Sequence, residues 1–526
     1  MIAVRKFSFI LGFLILITAS AAFGSATNVY ITQSGSASGN CTTNVQTPAF
    51  FNNASNWGSG GSQIGPGTRV LICGTFTGSA NATAFTFQGS GNSSNTVTLK
   101  FDTGALLTSP YWSANGAISC NSLSYITVDG GSNGTIQNTA NGTNLANHQT
   151  SSGFSAANCT NSEVKNLTVK NIYINNGSSA SATDGNGSNT TDIVFNGNST
   201  ASIIDNNTLS QARTGVLISA DSNGDASGVQ IYSNAISDMD WGIAAGGGDS
   251  GDTLTGLLIH DNNITNWTNW QFPPSSFHQD GMILFNFATG SQTLTAKIYN
   301  NHIYGDLGVS SPTGFIYCAQ NASCAMYNNL LVNTGHTIDG IIWADTHMGG
   351  DKIYNNTVIG LASDIAVTIG TSTASNVNTA DVVENNIILG PGVGLHDYGT
   401  LTSDVSVSDH NVWRNASGSA PQMATNDSTF LSYATWQGDG FEAHSTNANP
   451  NLDGTYHLPS GSPAIGLGAN LVSLDNSSLD LDLALQPRPG SPGSSLPSGT
   501  PWDAGIYNGG SSSAPAPPSQ LAASVN

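Results

Sequence analysis

The sequence predicts an all-β protein wound into a right-handed, single-stranded parallel β-helix with three strands in each coil. Three observations lead to this prediction. Asparagines, mostly in pairs, recur at intervals of about 25 to 30 residues along the middle of the 526-residue chain. Each interval holds three short runs of β-branched or aromatic residues separated by Gly, Asn and Asp, without helical periodicity. A repeat this short buries its apolar side chains only by stacking on its neighbours, as coils of three strands do.

The composition and charge of the chain exclude several classes of function. The 11 Lys and Arg residues against 32 Asp and Glu residues give a formal charge of -21, and charged residues make up 8% of the sequence. Nucleic acids need a clustered basic surface and anionic membranes attract basic segments, so neither partner is expected. Disorder driven by charge repulsion does not fit a chain that is 38% hydrophobic.

The first 26 residues have the features of a secretory signal peptide. Arg5 and Lys6 precede an apolar run from Phe7 to Ile17, and small residues suited to signal-peptidase cleavage follow. The run is too short to cross a bilayer comfortably, so a membrane anchor is the less favoured alternative. We therefore expect a secreted monomer, extracellular or periplasmic, that does not insert into the membrane after cleavage.

The remaining residues divide into four segments by composition and periodicity. Residues 27–67 are predicted to form an N-terminal cap segment, and residues 68–415 the coils of the β-helix. Residues 416–508 are expected to close the C-terminal end, and residues 509–526, rich in Ser, Ala and Pro, to form a flexible tail.

The six cysteines fit an oxidising compartment. Three pairs stand out by their spacing or frame: Cys41 with Cys73, Cys120 with Cys159, and Cys318 with Cys324. The middle pair occupies equivalent points of successive repeats, where either a disulfide or a simple stack of side chains fits. The connectivity therefore stays open, and no CxxC pair or mixed Cys/His cluster indicates zinc.

The recurring asparagines are expected to lie in the tight turn between two strands of each coil. The copies contain Asn206-Asn207, Asn234, Asn262-Asn263, Asn300-Asn301, Asn328-Asn329, Asn355-Asn356 and Asn385-Asn386, with Asn411 in a worn last copy. Asn tolerates the left-handed conformation that such a turn requires, and its amide can bond to the Asn one coil away. The rival architecture, a propeller, would need longer repeats and antiparallel blades.

With this repeat, the sequence resembles secreted right-handed β-helix proteins of the pectin-lyase-like superfamily. The segments Asn28–Thr32 and Gly65–Ile72 look like the opening of such proteins, and His457–Gly466 with Asp503–Tyr507 look like their closing segment. Members include polysaccharide lyases, glycoside hydrolases, epimerases and non-catalytic surface proteins, so the resemblance does not choose the function. The motifs typical of polygalacturonases, pectate lyases and alginate epimerases are missing. The resemblance implies a substrate cleft along one sheet, on the strand that begins at a recurring x-Gly-aliphatic step.

Asp280 and Asp339 each precede the glycine of this step, so we expect them on one face, two coils and very roughly 10 Å apart. Asp240 is expected one position back on the coil before Asp280. An inverting glycosidase needs such carboxylates, one to protonate the leaving oxygen and another to activate water. The alternative is that Asp before Gly is simply a good turn residue.

A long coil between Asn263 and Asp280 is expected to overhang the same face. Trp267 and Trp270 would stack on sugar rings, and His278 alternates with Asp280, so that both would point the same way. The alternative is that the two Trp side chains plug the loop onto the β-helix.

Further candidates are His336, Trp343, Asp345 and His347, which cluster around Asp339 in the sequence, and Arg213, which precedes another Gly step. Trp343 and Arg213 would bind substrate, with an edge ion pair as the alternative for Arg213. His347 would be a general acid, a metal ligand with Asp345, or an ordinary loop histidine. No cofactor is required, although Ca²⁺ held by Asp and Asn oxygens stays open.

These residues favour hydrolysis of the glycosidic bonds of an extracellular polysaccharide through aspartates on one sheet. The first alternative is a Ca²⁺-dependent polysaccharide lyase acting on a uronate polymer. The second is a non-catalytic adhesin or surface glycan-binding protein, which the low charge and the missing motifs also fit.

Overall fold

A computed structural model describes most of the chain between residues 28 and 509. The described ranges are 28–142, 145–173, 190–249, 251–267, 279–286, 294–308, 312–346, 350–369, 380–398, 404–425, 429–472 and 478–509, the last without residues 490, 493, 496 and 498. The proposed signal peptide, the C-terminal tail after residue 509, Trp270, His278 and His347 lie outside the described residues.

The described strands form three long sheets. Sheet A consists of β1 (Asn28–Ile31), β2 (Arg69–Ile72), β5 (Val97–Phe101), β8 (Ile126–Asp129), β11 (Glu163–Lys165), β14 (Ile203–Asp205), β17 (Gln230–Tyr232), β20 (Leu254–His260), β23 (Leu294–Tyr299), β26 (Ala322–Tyr327), β29 (Lys352–Tyr354), β32 (Asp381–Glu384) and β35 (Val405–Asp409). Sheet B consists of β3 (Thr75–Thr77), β6 (Leu106–Ser109), β9 (Thr135–Asn138), β12 (Thr168–Lys170), β15 (Thr208–Ser210), β18 (Ala235–Ser237), β21 (Asn263–Thr265), β24 (His302–Gly305), β27 (Leu330–Asn333), β30 (Thr357–Ile359), β33 (Ile387–Gly390) and β36 (Val412–Asn415). Sheet C consists of β4 (Phe85–Thr86), β7 (Ile118–Asn121), β10 (Ser151–Ala157), β13 (Thr190–Asn196), β16 (Thr214–Ser219), β19 (Trp241–Gly247), β22 (Gln279–Asn286), β25 (Pro312–Gln320), β28 (Ile342–Thr346), β31 (Ile365–Ile369), β34 (Val393–Asp397), β37 (Gln422–Thr425) and β38 (Thr429–Leu431).

Each coil runs through one strand of sheet A, one of sheet B and one of sheet C. From β2 onward every third strand is a neighbour in the same sheet, and every pair except β37 with β38 is parallel. This order makes the fold a right-handed parallel β-helix, the hand taken by nearly all connections between parallel strands. The predicted fold class is confirmed.

The core fills the inside of the coils. Inward-facing side chains of successive strands stack on one another, as Ile204, Ile231, Ile259 and Ile298 do along sheet A, and all four are at most 1% exposed. Since side chains alternate along a strand, the intervening residues of each strand face outward.

The corner between sheets A and B holds a ladder of asparagine side chains. The Nδ2 of Asn207 donates to Oδ1 of Asn234 at 2.9 Å, and the same bond continues coil by coil. Its later members are Asn262, Asn301, Asn329, Asn356, Asn386 and Asn411. The residue before each ladder asparagine has φ between 51° and 62°, in the left-handed region that Asn tolerates. The predicted turn and the predicted bond between coils are both confirmed.

Both ends of the fold differ in detail from the boundaries expected from sequence. Helix α1 (Pro48–Phe51) and a 3₁₀ turn (Ala54–Asn56) lie between β1 and β2. β1 nonetheless pairs in parallel with β2, so regular pairing begins inside the expected cap segment. At the other end, sheet C continues past residue 415 to β38. Helix α2 (Tyr433–Gly438) follows and inserts the buried Trp436 into the core.

Three disulfides link the cysteine pairs singled out above: Cys41–Cys73, Cys120–Cys159 and Cys318–Cys324. The first two join successive coils near the N-terminal end, and such bridges are expected of an oxidising compartment. Across the described residues, no helix combines the length and apolar character that a membrane crossing requires.

Candidate active site on sheet C

The x-Gly step at the start of the sheet C strands lies at a tight corner of the coil. Any Cβ on Gly215, Gly242 or Gly281 would lie within 3.0 Å of the next coil's backbone and of a core isoleucine, so only glycine fits. Trp241 pairs with Asp280, and Asp240 lies one position earlier, as expected.

The register shifts by one residue on the next coil, and this separates Asp280 from Asp339. Asp280 pairs with Gly314 rather than Thr313, because the β22–β25 pairing is irregular between Gln279 and Asp280. The expected column of Asp280 and Asp339 at equivalent points is therefore wrong.

Asp280 is buried rather than displayed on a surface. Its side chain is 0% exposed and its Oδ1 accepts hydrogen bonds from the Thr313 hydroxyl and the Gly314 amide. The environment is that of a structural turn aspartate, which was the alternative interpretation of the sequence.

Asp240 and Arg213 form an ion pair at the same corner. Their side chains approach to 3.5 Å and are 2% and 12% exposed, while the Arg213 guanidinium lies 4.6 Å from the ring centre of Trp241. The edge ion pair that was the alternative for Arg213 is thus present, and both charges face each other rather than an open cleft.

Trp267 is packed inside the coil. It is 1% exposed, its Nε1 donates to the Asp280 carbonyl at 3.2 Å, and its ring stacks against Phe315. The expectation of an exposed sugar platform is wrong for this residue, and the alternative of a plug describes it.

A row of four side chains crosses the outer side of sheet C on consecutive coils. Tyr317 pairs with Trp343, Trp343 with Thr368, and Thr368 with His396. Their strand neighbours Ile316, Ile342, Val367 and Leu395 lie in the core, so the row faces away from it. This row brings an indole, a phenol, a hydroxyl and an imidazole together.

Two members of the row, Trp343 and His396, are in contact with Tyr398, and Tyr317 contacts Trp343. The ring centres of Tyr317 and Trp343 are 5.2 Å apart, those of Trp343 and Tyr398 6.2 Å, and those of His396 and Tyr398 4.8 Å. Trp343, Tyr317 and Tyr398 are partly exposed, whereas His396 is 6% exposed. The cluster therefore offers flat aromatic surface beside a nearly buried titratable ring.

Asp339 lies beside this row. The hydroxyl of Thr368 donates to its carbonyl at 2.8 Å, and its carboxylate interacts electrostatically with His396. Asp339 is exposed to solvent, but partial desolvation of its carboxyl group raises its pKa, and the electrostatic interaction with His396 opposes this only in part. A carboxyl group with a raised pKa beside an imidazole is a candidate for proton transfer.

The loop before Asp339 is held by the buried carboxylate of Asp364. Its Oδ1 accepts from the Ile338 amide at 2.9 Å, and its Oδ2 accepts from the Asn333 side chain at 2.8 Å and the Leu361 amide at 2.6 Å. Asp364 thereby fixes the residue directly before Asp339 against the next coil.

Two other predicted residues lie near this region. His336 is half exposed and pairs with Asp306 at 3.0 Å. Burial raises the pKa of Asp306, but hydrogen bonds from His336 and Gly308 outweigh it and the pKa is lowered, so this carboxylate stays charged. Asp345 follows Trp343 by two residues on β28, in register with Ala319.

A cleft of about 490 Å³ lies at the N-terminal end of sheet A, far along the chain from this row. Its lining includes Arg69, Lys100 and Asp102. Burial raises the pKa of Asp102, but hydrogen bonds from Asn40 and Thr103 outweigh it, and the lowered pKa makes it a poor proton donor. The sheet C row is therefore a better candidate active site than this cleft, because a raised-pKa carboxyl group and an imidazole lie together there.

A second group of carboxylates lies at the corner between sheets C and A. The Asp351 amide donates to Oδ1 of Asp381 at 2.8 Å, both side chains are 0% exposed, and Asp404 is 8% exposed. Burial and the charge of Asp351 raise the pKa of Asp381 to about 9. A proton retained on Asp381 relieves the repulsion at this corner.

Sequence reasoning found Asp339 and Trp343 but missed His396, Tyr398 and Tyr317. The segment Gly394-Leu-His-Asp-Tyr398 carries a His and a Tyr two residues apart at the end of a strand, and this spacing was the available signal. Tyr317 is far from His396 in the sequence. It joins the row only because the sheet register pairs Tyr317 with Trp343, and Trp343 with Thr368.

No protein-family model matches the sequence, and no curated protein matches it. Among solved structures, the chain is similar to the alginate lyase AlyGC of polysaccharide lyase family 6, with 14% identity and a TM-score of 0.40, over 74% of this chain and 51% of that one. It is similar to XylC in complex with xylose, with 10% identity and a TM-score of 0.41, over 77% and 86% of the two chains. A mannuronic-acid-specific family 6 lyase from human gut microbiota shows 11% identity and a TM-score of 0.42, over 79% and 85%.

The chain thus spans about half the length of AlyGC. Scores this low do not assign an activity. The three sheets themselves make this chain a right-handed parallel β-helix.

Proposed function

We propose that the chain is a polysaccharide-cleaving enzyme whose active site is the sheet C row together with Asp339 and Tyr398. The observation that carries the proposal is the convergence of the Asp339 carboxyl group, with its raised pKa, and His396 beside partly exposed aromatic rings. Secretion, which the N-terminal residues and the disulfides favour, would bring it to extracellular polymers.

Sugar binding is assigned to the aromatic rings. The C–H faces of a pyranose ring pack on flat aromatic side chains, and Trp343 lies between the rings of Tyr317 and Tyr398. A linear polymer would lie along the sheet, crossing successive coils at about 4.8 Å per step.

The chemistry we favour is β-elimination on a uronate polymer, because the second aspartate of the predicted hydrolytic pair, Asp280, is sealed inside the corner. His396 would remove the proton on the carbon next to the uronate carboxylate. A tyrosine hydroxyl would return a proton to the leaving oxygen as the C–O bond breaks and a C=C bond forms. Asp339 in its neutral form would donate a hydrogen bond to the uronate carboxylate without repelling it.

The second candidate is hydrolysis, favoured by the raised pKa of Asp339, which suits a general acid. It would need a second carboxylate at roughly 6.5–9.5 Å for inversion. Asp345, two residues beyond Trp343 on the same strand, is the predicted residue whose place in the chain fits this role.

Two variants distinguish the candidates. For elimination, Asp339→Asn should keep much of the activity, since an amide also donates to a carboxylate. His396→Gln should lower kcat by roughly 10²–10⁴-fold because it removes the base. For hydrolysis, Asp339→Asn should itself cause that loss.

The assay follows reducing ends and the ultraviolet absorbance of unsaturated uronates on a panel of acidic and neutral polysaccharides, with and without a chelator. Asp261→Asn is the control, because Asp261 is an exposed carboxylate paired with His260 away from sheet C. Reducing ends with absorbance indicate elimination, and reducing ends alone indicate hydrolysis. Full activity in both Asp339→Asn and His396→Gln would remove this site from the mechanism, and no product from any polymer would favour the glycan-binding alternative.

A further inference from the structure

The last coil departs from the repeat at the corner between sheets A and B. Every earlier coil from Asn206 onward has Asn, Ser or Asp directly before its ladder asparagine, whereas the last coil has His410, with φ of 59°. Asparagine adopts this left-handed backbone conformation at least as readily as histidine, so the backbone does not explain why His occupies position 410.

His410 lies against a second imidazole and a carboxylate. The His410 and His444 rings stack at 4.8 Å, with 11° between their planes. Nδ1 of His444 lies 2.7 Å and Nε2 of His410 3.9 Å from Oδ2 of Asp409. One ligand atom from each of the three residues lies within 4.8 Å of the others.

The surroundings fix the orientation of the His410 ring and of the Asp409 carboxylate. Nδ1 of His410 lies 2.7 Å from the Leu467 carbonyl, which can only accept, so Nδ1 carries the hydrogen and Nε2 keeps its lone pair. Oδ1 of Asp409 accepts from the His410 and His444 amides at 2.8 and 2.7 Å, which leaves Oδ2 to face the rings.

The local charge also suits a cation. Glu384 pairs with Asp409 across the strands β32 and β35, and its charge interacts with both His410 and Asp409. Two imidazole nitrogens and a carboxylate oxygen are the ligand types of a Zn²⁺ site with one open position.

We propose that Asp409, His410 and His444 form a binding site for a divalent transition-metal ion of the Zn²⁺ type. In a tetrahedral site, with metal–ligand bonds of about 2.0–2.2 Å, ligand atoms lie about 3.4 Å apart. The side chain of His444 is 66% exposed, so it can rotate to bring the ligand atoms from within 4.8 Å of one another to the separation of a tetrahedral site. The ion would join the last coil to the segment after α2, which carries His444.

The test is titration calorimetry with ZnCl₂ on metal-stripped protein without an oligohistidine tag, together with the shift in Tm on Zn²⁺ addition. We expect wild-type protein to bind Zn²⁺ and to melt at a higher temperature when Zn²⁺ is present. His444→Ala should weaken this binding at least tenfold.

His410→Asn introduces the residue found at this position in most other coils, so it keeps the turn while removing a ligand, and it should weaken binding similarly. The matched control is His260→Ala, because Nδ1 of His260 lies at the same 2.7 Å from Asp261 but its ring stacks between Tyr232 and Tyr299. Absence of Zn²⁺ binding in wild-type protein would overturn the proposal. So would unchanged binding in both His444→Ala and His410→Asn, which would place any bound ion elsewhere.

Discussion

The protonation of Asp381 contributes to the way the stability of the coils depends on pH. Its carboxyl group lies buried beside Asp351, and its pKa is raised from 3.8 to about 9. The protonated form is the one that the folded state favours. The stabilisation is therefore complete below pH 3.8 and is lost as the pH rises through about 9.

Asp381→Asn should stabilise the protein at alkaline pH. The amide oxygen of Asn still accepts the Asp351 amide hydrogen, and no proton has to be retained at high pH. We expect the free energy of unfolding at pH 8 to increase by roughly 1–4 kcal/mol and to change little near pH 4. Thermal unfolding at the two pH values checks this, with Asp261→Asn as an exposed control. An equal change at both values would contradict the assigned pKa.

The sequence predicted those site residues that depend on a single repeat. It could not predict those whose position depends on the register between two strands. Asp339 and Trp343 follow from their own repeat, because the Gly step and the strand after it are local patterns. Asp280 could not be placed, since the shift between Gln279 and Asp280 depends on how two strands pair. His396 could not be assigned to Asp339 because their contact crosses coils.

The element that dominates the coils is the asparagine ladder. Asn207 is 1% exposed, its Nδ2 donates to the Val164 carbonyl and to Asn234, and its Oδ1 accepts from the Leu167 amide. Each rung therefore satisfies buried backbone groups of the turn as well as the neighbouring rung. This element could be predicted from the sequence, because its spacing repeats with each coil.

Asn207→Ala should destabilise the protein by about 2–4 kcal/mol, because it leaves the Leu167 amide and the Val164 carbonyl buried without these partners. The matched control is Asn206→Gly, which changes the adjacent residue and keeps its left-handed conformation. Urea unfolding with the disulfides intact measures both. Similar losses in the two variants would mean that loss of the ladder hydrogen bonds does not account for the destabilisation.

At the scale of the whole molecule, the chain after residue 450 folds back along the outside of the coils. The buried Arg488 donates through Nη2 to Asn328 Oδ1 at 2.9 Å and to the Gly505 carbonyl at 3.1 Å. The first asparagines of two later turns, Asn355 and Asn385, bond to backbone carbonyls of the same segment. The inner asparagine of a pair thus holds the coils together, while the outer one holds this closing segment.

Arg488→Ala should loosen the closing segment. Burial lowers the pKa of Arg488 to about 10, yet it stays charged at neutral pH and faces Asp482 and Asp503. Removing one partner of a buried ionic group costs roughly 3–5 kcal/mol. Limited proteolysis should then cleave within residues 451–509 faster than in wild-type protein, with Arg69→Ala as the control. An unchanged cleavage rate would show that the apolar contacts alone secure the segment.

The final strand of sheet C has a consequence for self-association. β38 runs antiparallel to β37, with Met423 opposite Leu431 and Thr425 opposite Thr429, whereas all earlier neighbours are parallel. A second molecule that tried to continue the stack with its own first strands would meet an edge whose hydrogen-bond spacing belongs to the opposite direction. The reversal therefore gives the end of sheet C an edge that does not continue the parallel pairing of the coils.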